Sequence, residues 1–428
     1  MANGVLEVSA SEVSPPRLRV SGAPLHIVCP TYWYPQHASD TQATYVHDIN
    51  RHLVLRGHQV TVVTPGDPAL PSTDTFDGVE VVRFPMQLPS DLTYGRVAQS
   101  RVSMLGKVAR IAVMSYYLEA QYRATVAVAR QRNSSVVHAH WAIPTGPAAV
   151  MAARRLKLPS VITMHGGDVY VNPEQGYDFP TRWYVRPPLR WTLHHADALT
   201  AITDDCRQHA LRAGAPEASV RLVFNGTDLR RFSPDENGAD PGFGPRMIFA
   251  CRQLFPRKGI RFLIEAFARL KPRFPDAKLV LAGDGFERPE LVELAQNLGV
   301  AADVTFLGWV ANSALPPYYR AAAVSVIPSL EEGFGIPAAE AMGCEVPVVA
   351  SDAGGLPEVV EHGVTGLVVP RGDVTALANA IGTLLDDPDL RRRMGQAGRQ
   401  RALRLFDWDR TAERFEQVYR DVGARVER

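Results

Sequence analysis

Short apolar runs alternate with amphipathic stretches along nearly the whole chain. Leu25-His26-Ile27-Val28-Cys29 reads as a first strand. A helical stretch follows over about Thr41 to Arg56, Gly57 stops it, and Gln59 to Thr64 starts a second strand. Strand, helix, glycine, strand is the rhythm of a parallel sheet with crossover helices. It recurs with Val136-Val137-His138, a helix after Pro144, Ser160 to Thr163, Ala198 to Ile202 and Val220 to Phe224. These runs are apolar at both parities, as strands covered on both faces should be.

The pattern breaks over residues 226–245. Ser233 to Pro245 is rich in proline, glycine and acidic residues and reads as an interdomain linker. The rhythm then restarts with Met247 to Ala250, Lys278 to Ala282, Val304 to Phe306, Val324 to Ile327, Pro347 to Ala350 and Leu367 to Val369. About Asp407 to Val422 is one more helical pattern. The expected organisation is a flexible tail over 1–22, a Rossmann-like domain over 23–232, a second over 246–405, and a terminal helix within 406–428.

Bulk properties agree with two domains. The chain has 428 residues, against a prior of roughly 150 per domain. A net charge of +1 gives no global reason to expect a nucleic-acid partner. Cys29, Cys206, Cys251 and Cys344 are far apart, with no CxxC pair, so neither a zinc site nor a redox dithiol is expected. They read as reduced core residues of a cytoplasmic protein.

No apolar run approaches the ~20 residues of a membrane helix. The best, Ile111 to Ala129, is interrupted by Glu119, Gln121 and Arg123. The first residues lack a basic region followed by an apolar one, so no signal peptide is expected. From Arg96 to Arg132 seven basic residues face the single acid Glu119, interleaved with Met104, Leu105, Ile111, Tyr116 and Tyr117. That stretch is a candidate peripheral surface for anionic lipid.

The chemistry concentrates in the second half. Glu332-Gly333-Phe334-Gly335-Ile336-Pro337-Ala338-Ala339-Glu340 places two carboxylates seven residues apart. Glu332 falls in a loop past a buried strand. Gly333 and Gly335 let the backbone approach a ligand, Pro337 suits a first helical turn, and Glu340 comes one turn on. A loop acid, free amides and a helix-borne acid thus converge where parallel sheets bind ligands. Arg252 and Lys258-Gly259 follow the first strand of the same half, with a helix starting near Lys258. A fork and a point charge at a helix N-terminus suit a diphosphate. His138 and His140 fall on one face of a strand with no acidic or cysteine partner at ligand spacing, so they read as packing residues and no metal site is expected. Gly283-Asp284-Gly285 lacks the spacing of a dinucleotide fingerprint and reads as a turn.

Together these residues resemble the retaining glycosyltransferases of family 4. The resemblance runs from about residue 25 onward. It implies the α/β GT-B fold: two Rossmann-like domains with parallel sheets facing a central cleft, and a C-terminal helix crossing back to the first domain. The first domain would bind the acceptor and the second the donor. Arg252 and Lys258 match the family's G-R-x5-K-G pair, implied to hold the donor diphosphate. Glu332 and Glu340 match its E-x7-E pair, implied to contact the transferred sugar and the nucleotide ribose. Amides around Gly333, Phe334, Gly335 and Ile336 would reach sugar or phosphate, and Val310, in Gly308-Trp309-Val310, would line the base. His165, in Thr163-Met164-His165-Gly166-Gly167-Asp168, resembles the histidine facing the donor sugar from across the cleft.

Two positions depart from the family. The loop Tyr34 to Ala43 has no glycine, leaving Ser39, Thr41 and Gln42 as side-chain donors for phosphate, and Cys251 stands where glycine usually precedes the arginine. The implied partners are a nucleotide-sugar donor and a glycan or lipid-linked acceptor, with no metal and no other cofactor. The alternatives are an epimerase or hydrolase of nucleotide sugars, or a non-catalytic binding protein.

Overall fold

A computed structural model of the chain describes residues 23–36, 40, 43–67, 70–86, 104–171, 179–235 and 240–426; for 104–110, 179 and 425–426 it describes the backbone only. Ser39, Thr41, Gln42, Arg96, Arg101 and the expected tail over 1–22 lie outside these residues.

The first half builds an eight-stranded sheet from β1 (His26–Pro30), β2 (Gln59–Gly66), β3 (Thr73–Phe76), β4 (Val79–Pro85), β5 (Val136–His140), β6 (Ser160–Met164), β7 (Ala198–Ala201) and β8 (Val220–Leu222). Their spatial order is β3-β4-β2-β1-β5-β6-β7-β8, parallel except for the β3–β4 hairpin. The second half builds a six-stranded parallel sheet in the order β11-β10-β9-β12-β13-β14. Its strands are β9 (Met247–Cys251), β10 (Lys278–Ala282), β11 (Val304–Gly308), β12 (Val324–Ile327), β13 (Val348–Ser351) and β14 (Gly366–Val369). Each order reverses once, between β1 and β5 and between β9 and β12. The loops leaving the carboxyl ends of strands at such a reversal diverge and open a crevice.

The hairpin was not expected from the apolar runs. Its turn is Asp77-Gly78, with φ of 48° and 79°, the two left-handed residues that a two-residue hairpin needs.

Helices cover both sheets. In the first half α1 (Thr44–Leu55) starts three residues later than expected, α2 (Met104–Gln131), α3 (Thr145–Leu156) and α4 (Arg186–His195) pack in series, and α5 (Asp204–Arg212) links β7 to β8. The second half carries α6 (Ile260–Leu270), α7 (Arg288–Asn297), α8 (Pro316–Ala321), α9 (Ile336–Gly343), α10 (Leu356–Val359), α11 (Val374–Asp386) and α12 (Pro388–Leu405).

The last helix, α13 (Trp408–Val426), returns to the first domain. Its buried stripe holds Trp408, Ala412, Phe415, Tyr419 and Val422, and the Tyr419 hydroxyl is 2.7 Å from His138 Nδ1. Glu416 is buried between Arg56 and His58. Gly226 leaves room for the crossing, because a Cβ there would lie 2.7 Å from the Trp408 ring.

The candidate lipid stretch divides. Tyr116 is exposed, but Tyr117 is fully buried, with its hydroxyl bonded to Gln121 and Thr145. Tyr117 is therefore a core residue, not part of an apolar lipid face. Arg123 is paired with Glu119, and Arg132 with Glu80. Among the described residues no helix is long and apolar enough to cross a membrane.

Candidate active site

The loop after β9 carries Arg252, and two glycines hold it in place. A Cβ at Gly283 would collide with the Arg252 carbonyl, and one at Gly285 with the Leu254 carbonyl. Close approach lets Arg252 N donate to Ala282 O at 2.8 Å and Leu254 N to Asp284 O at 3.0 Å. The Gly-Asp-Gly turn is thus a wall that fixes the arginine. Lys258 ends a short 3-10 turn rather than starting a helix, and Gly259, at φ 68°, begins α6. A Cβ on Gly259 would strike the Pro328 carbonyl, so this glycine brings Lys258 against the loop after β12.

That loop supplies Ser329 and Glu332. Arg252 Nη2 donates to Ser329 Oγ at 2.7 Å and pairs with Glu332 Oε2. Lys258 Nζ is 3.0 Å from the same oxygen, and Ser329 Oγ donates to it at 3.1 Å. The side chains of Arg252, Lys258 and Glu332 are 4%, 15% and 11% exposed. Burial brings the Arg252 guanidinium down to about 10, so it stays charged at neutral pH. Burial, then the Arg252 and Arg257 charges, pushes the Lys258 ammonium well below the usual lysine range; the Glu332 carboxylate at 3.0 Å works against that shift. The resemblance gave the cations to phosphate and Glu332 to a sugar. Here they hold one another.

Gly335, at φ 92°, begins α9, and Pro337 sits in its first turn. Phe334 is buried against Phe224 and Phe406, so its side chain anchors the loop and only its backbone faces the cleft region. Glu340 is buried too. Its Oε2 accepts from the Tyr319 hydroxyl at 2.7 Å and its Oε1 from Asn312 Nδ2 at 3.3 Å. Burial raises its carboxyl from 4.5 to about 7. A raised acid costs stability as pH climbs from the unfolded value through the folded one, here from about 4.5 through about 7. A nucleotide whose hydroxyl donates to Glu340 favours the ionised form. Nucleoside diphosphate affinity is therefore expected to rise, up to about tenfold, from pH 6 to pH 8, with proton release on binding near neutrality. Calorimetry in buffers of different ionisation heat reads both, and Glu340→Gln should remove the proton release.

The first domain presents His165 across the cleft. Its ring is stacked on His140, with His165 Nε2 2.9 Å from His140 Nδ1, and it packs against Tyr45 and Trp141. His165 Nδ1 is buried without a hydrogen-bond partner among the described residues. Burial lowers the His165 imidazole to about 3 and takes His140 well below its ordinary value, so both rings are neutral at physiological pH. Asp168 shapes the loop, accepting from His165 N at 3.1 Å and Ala142 N at 2.7 Å. A Cβ on Gly333 would lie 3.2 Å from the His165 carbonyl, so the Glu332 loop and the His165 loop touch.

Two family models match the chain: glycosyl transferases group 1 over residues 236–401, and a glycosyl transferase 4-like domain over 40–226. The D-inositol 3-phosphate glycosyltransferase of Kribbella flavida is 32% identical, over 88% of this chain and 89% of its own. The chain belongs to the group 1 glycosyltransferases. The GDP-mannose-dependent alpha-(1-6)-phosphatidylinositol monomannoside mannosyltransferase of Mycolicibacterium smegmatis is 34% identical, over 64% of this chain and 72% of its own. Sucrose-phosphate synthase of Thermosynechococcus elongatus superposes with a TM-score of 0.74 at 26% identity, covering 94% of this chain and 99% of its own. The fold of this group 1 glycosyltransferase is the GT-B fold expected from the sequence.

Its halves are joined by polar contacts at the site. The Thr203 hydroxyl donates to Gly333 O at 3.1 Å. Glu358, on α10, accepts from the Asp204 and Asp205 amides at 2.6 and 2.8 Å, capping the N-terminus of α5 in the other domain. Gly355 N donates to Glu332 O at 3.1 Å. The glycosyltransferase loop bearing Glu332 is therefore bonded from both sides.

Of the expected residues, Arg252, Lys258 and Glu332 form one cluster, with Gly333 and Gly335 in the same loop, and the His165 backbone touches that loop at Gly333. Ile336 is half-buried at the head of α9. Val310 is half-buried after Gly308, on the side where Asn312 meets Glu340. Sequence reasoning missed Ser329, Tyr319, Asn312, Thr203 and Glu358. Ser329 had a signal, its place just past a strand end; Tyr319 lies 21 residues before its partner and had none.

Proposed function

We propose that this glycosyltransferase moves a hexose-type sugar from a nucleoside diphosphate sugar to a glycan, lipid-linked or small-molecule acceptor. Anomeric configuration is retained, no metal ion or other cofactor is needed, and the product belongs to cell-surface polysaccharide or glycoconjugate synthesis. The enzyme works in the cytoplasm, with the basic Arg96 to Arg132 stretch as its contact to the inner membrane face. The observation that carries the reading is the convergence of Arg252, Lys258 and Glu332 at a sheet reversal, against the His165 loop.

The donor diphosphate takes Glu332's place on Arg252 and Lys258, and Ser39, Thr41 and Gln42 add side-chain donors. The freed Glu332 turns to the sugar. As the bond from the anomeric carbon to the diphosphate oxygen breaks, negative charge grows on the leaving group, where two buried cations and the amides of residues 333–336 stabilise it. The acceptor oxygen bonds to the same carbon from the same face, and its proton passes to the departing phosphate. Neutral His165 hydrogen-bonds the sugar instead of acting as a charged acid. Glu340 accepts from the ribose, and Val310 lines the base. Closure across the Thr203 and Glu358 contacts excludes water.

The test is a panel of uridine, guanosine and adenosine diphosphate sugars, assayed with and without acceptors in excess chelator. One donor is expected to bind and to turn over only with an acceptor. Loss of activity that magnesium or manganese restores overturns metal independence. Turnover of the donor alone makes the protein a hydrolase or epimerase.

A further inference from the structure

The first domain carries a second concentration of positive charge, away from the Arg252 cluster. α4 and α5 flank a groove of about 610 Å³. Arg186 and Arg190 stand one turn apart on α4, Arg212 ends α5, His209 lies one turn earlier, and Val169 and Leu189 form an apolar wall. Among the described residues none of the three guanidinium groups makes a hydrogen bond or an ion pair. Their neighbour Arg207, on the same α5, is paired with both Asp204 and Glu217. α5 thus pairs one of its arginines and, among the described residues, leaves Arg212 without an ion pair. His209 has Asp205 at 4.0 Å and also feels the Glu331 carboxylate.

The groove lies beside the reacting centre. Val169 is four residues past His165 in the same loop. Tyr170 packs over Gly166 and lies with its ring 4.6 Å from that of His209. Glu331, next to Glu332, acts electrostatically on both His209 and Lys258. A volume of about 610 Å³ suits one small ligand and not a polymer duplex. Three guanidinium groups that form no ion pair among the described residues line this one small space, and such forks suit the oxygens of a phosphate group.

We propose that this groove is an acceptor subsite for a phosphate-bearing sugar or polyol, its phosphate held by Arg186, Arg190 and Arg212. The phosphate is a free monoester or the diester of a lipid headgroup; the recognition chemistry is shared. The inference rests on the glycosyltransferase reading above, and narrows the acceptor to an anionic one.

The test uses the full chain and Arg190→Glu/Arg212→Glu, whose altered side chains are exposed. Glucose 6-phosphate and glucose are titrated by calorimetry with saturating nucleoside diphosphate present. The wild type is expected to prefer the phosphate ester by about tenfold or more, and the double variant to lose that preference while keeping its nucleotide affinity and melting temperature. Arg212→Gln should give a partial loss, which guards against misfolding of the double variant. A second arm floats both proteins with phosphatidylglycerol and phosphatidylcholine vesicles. Loss confined to the phosphatidylglycerol arm assigns the groove to a headgroup, and loss in the first arm to a soluble ester. If neither arm changes, or glucose binds as well as its phosphate, the proposal is overturned. If glucose 6-phosphate binds as expected but no nucleoside diphosphate does, the donor reading falls and the groove stands.

Discussion

Glu332→Ala is expected to lower turnover by about 10²–10³-fold and, at the same time, to tighten the binding of bare nucleoside diphosphate. The two effects have one origin. In the free protein the Glu332 carboxylate sits on Arg252 and Lys258, where the proposed function puts the diphosphate. The ligand must displace a resident anion, and alanine removes the competitor, a gain of up to about tenfold in affinity. Turnover falls because the sugar loses its carboxylate contact. Glu340→Ala should behave differently. On the proposed assignment it deletes a hydrogen bond to the ribose worth ~1.5–3 kcal/mol and should weaken donor and bare nucleotide alike. Calorimetry beside steady-state rates separates the two. A Glu332→Ala protein that loses nucleotide affinity would show that the carboxylate helps to hold the nucleotide, and full turnover in both variants would make the acidic motif structural.

Arg252→Ala should be at least as damaging, and Arg252→Lys should recover little of the loss. A single Nη2 serves both Ser329 and Glu332, on a side chain held by the Gly283–Gly285 wall. Lysine would place a mobile point charge where a planar fork is fixed. The alanine variant removes a buried cation that the proposed function sets against the leaving group, about 10²–10³-fold in kcat/KM. It also leaves Glu332 with Lys258 as its remaining cation, so the melting temperature should fall. kcat/KM for the two variants and a thermal scan decide it. A lysine variant near wild-type rate would sink the fork argument.

The strands were legible because both sheets are covered on both faces, so Ile27, Val28, Val62 and Val63 read as continuous apolar runs. The β3–β4 hairpin was not, because Thr73, Asp74 and Thr75 lie at an edge and alternate between exposed and half-buried. Only Asp77-Gly78 announced it. The residues of the candidate site were legible through local spacing: Arg252 to Lys258 and Glu332 to Glu340 are short-range patterns. Their mutual pairing was not, since it joins residues 80 positions apart. Thr203 and Glu358 were invisible for the same reason: each looks like an ordinary helix-end residue until the two domains meet. The Gly283–Gly285 turn was seen, but its purpose depended on knowing that Arg252 O lies against it.

The return of α13 also fixes an order of events during synthesis. β1 and α1 leave the ribosome first, yet His52 reaches Asp409 across 357 positions and His58 reaches Glu416 across 358. The second sheet closes with β14 at Val369, before α13 has been translated. Until α13 arrives, His138 lacks the Phe415 and Tyr419 rings that cover it, and the half-buried Arg56 lacks Glu416. Both sheets are thus translated before the helix that covers the first, and the domain translated first waits with an open apolar trough, the period in which a nascent chain is most exposed to aggregation and most in need of a chaperone.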